Sequence, residues 1–277
     1  MTAKALCVGI NEFAHLPQAS WLNGCVNDAD DMAAMLRKRP GFGRGSITVL
    51  KDADATKAKV MSALTALVGD PAVDHIVFSF SSHGTQVPDT NGDEKVDRVD
   101  EAFACHDLKQ RGRDWDRKTV IVDDELKELF EKVDKRMLVE VVLDTCHSGS
   151  GLKALDLLQG RRPRFIPPPT PLGVRRLERK SDPKGLQDEV KKIPAATRPV
   201  LFAACKADQV ASDAPFGERY NGAFTYYFLK ALTGRAKTRA AVMKAVDTSL
   251  AKEGFTQLPQ LEAVPRAKSS AFGSRWR

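Results

Sequence analysis

The sequence predicts an α/β fold in which a mostly parallel central sheet is flanked by helices on both faces. Three observations predict it. Four short apolar runs, Lys4 to Ile10, Asp74 to Phe80, Met137 to Leu143 and Pro199 to Ala204, are rich in β-branched residues and too short for lone buried helices, so they read as strands buried on both sides. Stretches with helical periodicity lie between them. Strands that alternate with helices form crossover units, which pair in parallel and cover both faces of the sheet.

In order, Lys4 to Ile10 is a first strand and Asn11 to Asn23 a loop. Gly24 to Lys38 is a helix with Asn23 or Asn27 available as cap, acidic residues early and basic ones late, stopped by Pro40 and Gly41. Ser46 to Leu50 is a short strand. Thr56 to Val68 is an amphipathic helix with Val60, Leu64 and Leu67 on one face. The strand Asp74 to Phe80 follows, and Gly84 to Asp100 reads as a polar loop. Asp123 to Val133 is a helix, and the strand from Met137 follows it. Arg161 to Pro199 carries eight of the fifteen prolines, with Pro167-Pro168-Pro169 able to continue neither helix nor sheet, so it reads as a linker or mobile loop. Order resumes with Pro199 to Ala204, then helices over Gly222 to Leu232 and Thr238 to Lys252, and a last strand over Leu258 to Val264 despite Pro259.

The chain has 277 residues, 42% hydrophobic and 29% charged, enough for a large core. No apolar run approaches the ~18 residues of a membrane span, and Ala5 to Ile10 is broken by Asn11 and Glu12, as a strand is and a secretory signal is not. Five cysteines, an odd number, point to free thiols in a reducing, cytoplasmic compartment. Of the net charge of +7, the stretch Arg161 to Lys192 alone, with ten Lys/Arg against four Asp/Glu, supplies +6. Those basic residues lie among prolines with Phe165 as the one aromatic, which is not the pattern of a nucleic-acid face.

Two strand ends carry the chemistry. The strand from Met137 ends in Asp144-Thr145-Cys146-His147-Ser148-Gly149, and the strand from Asp74 ends in Ser81-Ser82-His83-Gly84. Ligands of open α/β sheets bind at the carboxyl ends of the strands. Residues two apart on a strand share a face, so Asp144 and Cys146 can point into one site, and His147 points away as a structural residue. A thiol and an imidazole at such positions are what a Cys/His hydrolase needs, because a free thiol requires a base to become the nucleophile. Zinc is disfavoured, since Cys105-His106 and Cys146-His147 form no CxxC or HxxxH pair. Gly41-Phe42-Gly43-Arg44-Gly45 matches no nucleotide loop. Cys7, Cys105 and Cys205 read as core thiols. Asp89, Asn91, Asp93, Asp97 and Asp100 have the oxygen spacing of a calcium loop, but Glu94 stands where the turn glycine belongs.

These motifs together resemble the caspase-like cysteine peptidases, and within them the metacaspases and their prokaryotic relatives, the orthocaspases. The resemblance runs from Leu22-Asn23-Gly24-Cys25-Val26-Asn27-Asp28-Ala29 through the two strand ends and Asp100-Glu101 to Ala204-Cys205-Lys206-Ala207-Asp208-Gln209 and Gly222-Ala223-Phe224-Thr225. It implies a caspase-like sandwich with a larger portion over 1–160, a basic Pro-rich linker over 161–198 and a smaller portion over 199–277, together one domain. It implies Cys146 as nucleophile, His83 as general base and then acid, and the N–H groups of Gly84 and Cys146 as oxyanion hole. It implies an acidic pocket of Asp28 and Asp144, lined by Cys25 and Ser81, that selects Arg or Lys before the cleaved bond, since two carboxylates favour a guanidinium and repel an Asp side chain. No cofactor serves catalysis. Calcium is implied as an activator at Asp100, Asp123 and Asp124, with Lys153 where relatives have a fourth acid. The basic linker then doubles as a processing segment, with Arg162, Arg164, Arg176, Arg179 and Lys180 open to self-cleavage or to an upstream protease. The partners expected are protein substrates, not nucleic acid or membrane. The alternative is a non-catalytic caspase-like adaptor that binds a partner through the same groove.

Overall fold

The computed structural model describes residues 2–90, 99–146, 159–170 and 186–276. Its strands are β1 (Ala3–Gly9), β2 (Ile47–Lys51), β3 (His75–Ser81), β4 (Gly84–Pro88), β5 (Val99–Ala104), β6 (Gln110–Arg111), β7 (Asp114–Trp115), β8 (Val120–Val122), β9 (Leu138–Asp144), β10 (Arg162–Pro163), β11 (Val200–Ala203), β12 (Ser212–Phe216), β13 (Arg219–Gly222) and β14 (Gln260–Glu262). Its helices are α1 (Cys25–Leu36), α2 (Lys57–Val68), α3 (Asp123–Glu131), α4 (Leu186–Lys192), α5 (Ala223–Thr233), α6 (Arg239–Lys252) and α7 (Pro265–Lys268).

The central sheet runs β14-β11-β9-β3-β1-β2, parallel except for the antiparallel edge strand β14. The apolar runs become strands because alternate residues feed two separate cores, as period-two geometry requires. Leu6, Val8, Ile76, Phe78, Phe80, Val139, Val141 and Leu143 pack on one face with Val60 and Leu64 of α2 and Phe130 of α3. Ala5, Cys7, Val77, Leu138 and Val142 pack on the other with Met32 of α1, Phe224 and Phe228 of α5 and Val246 of α6. This is the sandwich the sequence predicts, a mostly parallel sheet with helices on both faces, and among the described residues no helix is long and apolar enough to cross a membrane.

Glu140, the single charge in the β9 run, is fully buried. Its Oε1 accepts from Arg239 Nε at 2.7 Å, and its Oε2 lies 2.8 Å from His75 Nε2 and accepts from the Gly273 N–H at 2.9 Å. A buried carboxylate is tolerable only when paired and hydrogen-bonded. The cluster thus ties α6 and the chain's last residues to the sheet.

The structure corrects three expectations. The stretch predicted as a polar loop from Gly84 begins and ends as strands, because β4, β5 and β8 pair antiparallel into a second sheet. The short β4 has no apolar run to announce it, and its partner lies across a long connection. Asn91, Asp93, Glu94 and Asp97 fall outside the described residues. Within the segment read as a mobile linker, residues 162–166 are docked, and α4 buries Leu186 and Val190 under the first core. Lastly, neither Asn23 nor Asn27 caps α1. Asn11 Oδ1 accepts from the Cys25 N–H at 2.8 Å, and Asp213 accepts from the Asn23 and Gly24 N–H groups at 2.8 and 3.0 Å. The helix start is buried against β12 and β13, so its caps come from distant chain.

Candidate active site

Strands β3 and β9 are adjacent and parallel, with Ser81 opposite Asp144 in register. Each chain runs two residues beyond that rung, to His83 and Cys146. The predicted imidazole and thiol therefore emerge side by side at the carboxyl edge of the sheet.

His83 is buried, and its Nε2 lies 2.7 Å from the Ser20 carbonyl oxygen. A carbonyl only accepts, so Nε2 carries the proton and Nδ1 is the basic nitrogen. Nδ1 is buried without a hydrogen-bond partner. The Phe13 ring stands 5.3 Å from the imidazole. Burial pushes His83 down to about 4, so the ring is neutral at pH 7. Burial likewise raises the Cys146 thiol well above its ordinary value, and the thiol points at the Ala211 carbonyl 4.0 Å away. The resting pair is a neutral thiol and a neutral imidazole.

Both groups lie against the chain's own residues 162–166. Arg162 and Pro163, forming β10, pair antiparallel with Asp213 and Ser212 of β12. The Arg164 N–H donates to the Ala211 carbonyl at 2.9 Å. The Arg164 carbonyl oxygen accepts from the N–H groups of Gly84 at 2.9 Å and Cys146 at 3.3 Å. Beyond it, the Ile166 N–H donates to the Gly84 carbonyl at 3.0 Å, and the Thr85 hydroxyl donates to the Ile166 carbonyl at 2.7 Å. An extended segment added to a sheet edge by main-chain bonds is a general mode of peptide recognition.

The Arg164 side chain fills the predicted acidic pocket and is fully buried. Nη2 donates to Asp28 Oδ2 at 2.7 Å and to Asp213 Oδ1 at 3.0 Å. Nη1 donates to the Asp144 carbonyl at 3.1 Å and pairs with Asp144 Oδ1 at 3.2 Å. The carboxylates are themselves held in place. Asp28 accepts from Asn221 Nδ2 and the Gly222 N–H at 2.9 to 3.1 Å, and Asp144 accepts from the Thr225 N–H and hydroxyl at 2.9 and 2.7 Å. Burial, opposed by Arg164 and reinforced by Asp144, pushes Asp28 up to about 7. Cys25 and Ser81 are both buried, and Ser81 stands opposite Asp144 in register.

Residues 2–269 match the family described as the caspase domain. The chain is a caspase-family cysteine peptidase. Metacaspase-1A of Aspergillus niger is 30% identical to it over 294 residues, covering 93% of this chain and 69% of that protein. Metacaspase-1 of Emericella nidulans is 28% identical, covering 94% and 70%. The crystal structure of protein GSU0716 from Geobacter sulfurreducens matches with a TM-score of 0.69 at 26% identity over 100% of both chains. This peptidase is therefore metacaspase-like in sequence and caspase-like in fold.

The structure brings His83, Gly84, Cys146, Asp28, Asp144, Cys25 and Ser81 of this peptidase together. Of the processing candidates, Arg164 lies in the pocket and Arg162 is exposed, with Nη1 donating to the Trp21 carbonyl at 2.9 Å. Arg176, Arg179, Lys180, His147 and Lys153 lie outside the described residues. Sequence reasoning missed Asp213, Asn221 and the roles of Gly222 and Thr225. The run Gly222-Ala223-Phe224-Thr225 carried a signal for the last two. A Cβ on Gly222 would collide with the Asp144 carboxylate and the Arg164 guanidinium, so the residue must be glycine.

The residues implied for calcium also gather. Asp123 is buried, and its carboxyl is raised well above the usual range by burial and then by Glu101, Asp100, Asp124 and Glu189. Asp100 is pushed up to about 6 by burial, although Arg117 donates to its Oδ2 through both Nη1 and Nη2 at 3.0 Å. Glu189 pairs with Lys127 at 2.7 Å. Among the described residues, no three His, Cys, Asp or Glu side chains stand ready to hold a metal.

Proposed function

We propose that this peptidase is an endopeptidase that cleaves after Arg or Lys through a Cys146/His83 dyad, and that the Arg164–Phe165 bond of its own chain is a substrate. One observation carries the reading: the Arg164 carbonyl oxygen sits on the Gly84 and Cys146 N–H groups while its guanidinium sits among the pocket carboxylates. Side chain and carbonyl are anchored at once, and holding a reacting group at two points is the kind of positioning that lowers a barrier.

In this mechanism His83 Nδ1 takes the Cys146 proton, and the thiolate attacks the Arg164 carbonyl carbon. The developing oxyanion is received by the Gly84 and Cys146 N–H groups, each donor being worth about 3–4 kcal/mol. The imidazolium gives its proton to the Phe165 nitrogen, the C–N bond breaks, and Arg164 is left as a thioester on Cys146. Water, deprotonated by His83, releases the Arg164 carboxylate and restores the thiol. Before the cut the segment covers Cys146, so the intact chain is a zymogen. Its departure admits water and removes the burial that holds His83 down and Cys146 up.

The test is hydrolysis of matched fluorogenic peptides ending in Arg, Lys or Asp by wild type and Cys146→Ala, with sequencing of the chain fragments. The expected result is turnover of Arg and Lys peptides, none of Asp, a fragment beginning Phe165-Ile166-Pro167, and loss of all of these in Cys146→Ala. An upstream protease as trigger predicts instead an intact wild-type chain that becomes active only when cut in trans. Preference for Asp, or a chain whose Cys146 stays inert to an Arg-ketone after residues 162–166 are displaced, would sink the reading in favour of an adaptor.

Calcium enters this proposal as an activator off the reaction path, held by Asp100, Asp123 and Asp124. The carboxylates whose charges push Asp123 up are the oxygen donors that calcium prefers. Loading it requires Arg117 to release Asp100.

A further inference from the structure

We propose that this peptidase has a built subsite on the leaving side of the cleaved bond. In it Thr85, oriented by Trp115, positions the carbonyl of the second residue past the cut, and apolar walls take the side chains of the first two. Its substrates are then extended chains with apolar residues in those two places. The inference rests on the reading of Arg164–Phe165 as a substrate bond and deepens it, by naming what must follow the cut.

Gly84, the first residue of β4, turns both of its backbone groups toward the docked segment. Its N–H donates to the Arg164 carbonyl at 2.9 Å, and its carbonyl accepts from the Ile166 N–H at 3.0 Å. Phe165, between them, forms a parallel bridge with Gly84. In an antiparallel ladder successive residues turn their backbone groups to opposite sides. Gly84 and Thr85 pair with Phe103 and Ala102 of β5, so the backbone of Thr85 faces β5 and its side chain is what meets the segment. The Thr85 hydroxyl donates to the Ile166 carbonyl at 2.7 Å. A hydroxyl can aim its one proton in several directions, but here a second bond fixes the aim. Trp115 Nε1 donates to the same oxygen at 2.8 Å. An indole N–H only donates, so Thr85 accepts from Trp115 and keeps its proton for the Ile166 carbonyl.

The two side chains past the cut are each 8% exposed. Extended chain sends successive side chains to opposite faces, and these two enter different cores. Phe165 joins the cluster that holds Cys146, Ala211 and Phe224, and Ile166 joins the one that holds Phe103 and Trp115. These walls and the Thr85–Trp115 bond belong to the rest of the fold and stay behind when the segment leaves. Groups set in advance lose little freedom when a ligand binds. Gly84 supplies both an oxyanion donor and the acceptor for the second residue past the cut. Any chain whose carbonyl enters the oxyanion site is therefore led past Thr85 in the same register.

The experiment compares kcat/KM for two peptides. One is a quenched fluorescent peptide carrying residues 162–167, Arg-Pro-Arg-Phe-Ile-Pro. The other is Arg-Pro-Arg aminocoumarin amide, which has no residue past the cut. The enzymes are full-length wild type, Thr85→Val, Thr85→Ser and Trp115→Phe, each self-cut or cut in trans. The long:short ratio within one preparation cancels the fraction of enzyme that is folded and processed. Thr85→Val should lower that ratio roughly tenfold, the scale for leaving a carbonyl without its donor. Thr85→Ser keeps the hydroxyl and should hold the ratio within about twofold of wild type. Trp115→Phe should lower it by less than Thr85→Val does. With wild type, a long peptide bearing glycine in place of Phe and Ile should be cut at least about tenfold less well, since two apolar side chains lose their burial. If Thr85→Val fails to fold, Trp115→Phe and the glycine peptide decide. An unchanged ratio in Thr85→Val or Trp115→Phe, a loss in Thr85→Ser equal to that in Thr85→Val, or a glycine peptide as good as its parent overturns the proposal and leaves Thr85 a strut of β4. A wild type that cuts neither peptide takes down the Arg164–Phe165 reading and this inference together, whereas the other outcomes leave that reading standing.

Discussion

Among the described residues of this peptidase, two arginines are fully buried, and they are buried in opposite ways. Arg239 meets one carboxylate, Glu140, and spends its remaining donors on the Ala267 and Ser274 carbonyls at 3.1 and 2.9 Å. Charge is matched one to one, and every partner belongs to the core or the chain end. Arg164 meets three carboxylates, and its Nε has no hydrogen-bond partner. Each of those carboxylates already has hydrogen-bond donors besides the guanidinium. Burying a charge is tolerable when the ion pair is closed, as at Arg239. A site with more negative charge than its occupant neutralises is instead built to receive a cation. On the proposed reading, the difference separates a rivet from a docked substrate residue, although both are arginines in the same chain.

The largest effect that would break this comparison is at Arg164. Arg164→Ala removes the cation but leaves carboxylates that can hydrate once the segment lifts. The fold should survive, the cut at 164–165 should vanish, and Cys146, covered in the intact chain, should react with iodoacetamide at least tenfold faster. Mass spectrometry of the alkylated protein reads both. An intact, unreactive Arg164→Ala would mean that the segment is held by its apolar residues alone. The matching change at Arg239 should act on stability and not on specificity. Arg239→Met strands Glu140 in the core, where breaking a buried pair costs about 3–5 kcal/mol. Denaturant unfolding should register that loss while the relative turnover of the Arg and Lys peptides by the remaining folded enzyme stays put.

The sequence reveals Arg239's kind of order more readily than Arg164's. The strands and helices of the sheet were legible because local periodicity and burial agree. The two strand ends were legible because a thiol and an imidazole at such positions are chemically conspicuous. Asp28 and Asp144 came through a resemblance that carries whole motifs. The docking of Arg164 was not legible, since it sits in a basic, proline-rich run whose order depends on partners 136 and 49 positions away at Asp28 and Asp213. A two-residue strand such as β10 has no periodicity to detect. Asp213 was missed for the same reason: nothing beside it in sequence marks a pocket that only folding assembles.

A smaller effect sharpens the electrostatic side of the comparison. Asp28 is raised to about 7, so between its unfolded value near 4 and pH 7 the native state holds a proton that the unfolded chain has lost. Stability from this group therefore falls as pH rises through that window and levels off above it. His83, lowered to about 4, works the other way: its contribution is present at neutral pH and is lost as pH drops from about 6.5 toward 4. Urea titrations from pH 4 to 8 should show the Asp28 fall flattened in Asp28→Asn and the His83 loss removed in His83→Gln. Parallel curves for wild type and both variants would contradict these assignments.

The smallest effect concerns the other group of carboxylates, around Asp123. There Arg117 already engages Asp100 with two donors and Lys127 pairs with Glu189. A divalent ion must compete with that arginine and, at low pH, with the protons that Asp100 and Asp123 retain. Calcium at tenfold over its dissociation constant would add about 1.4 kcal/mol, which is a rise in Tm of roughly 2–4 °C for a chain of this size. The rise should be present at pH 7.5 and absent at pH 5, below the raised value of about 6 for Asp100. It should also grow in Arg117→Ala, which frees that carboxylate. A calcium effect equal at both pH values would place the ion elsewhere. No effect even in Arg117→Ala would mean that these carboxylates, unlike those around Arg164, have no cation to take.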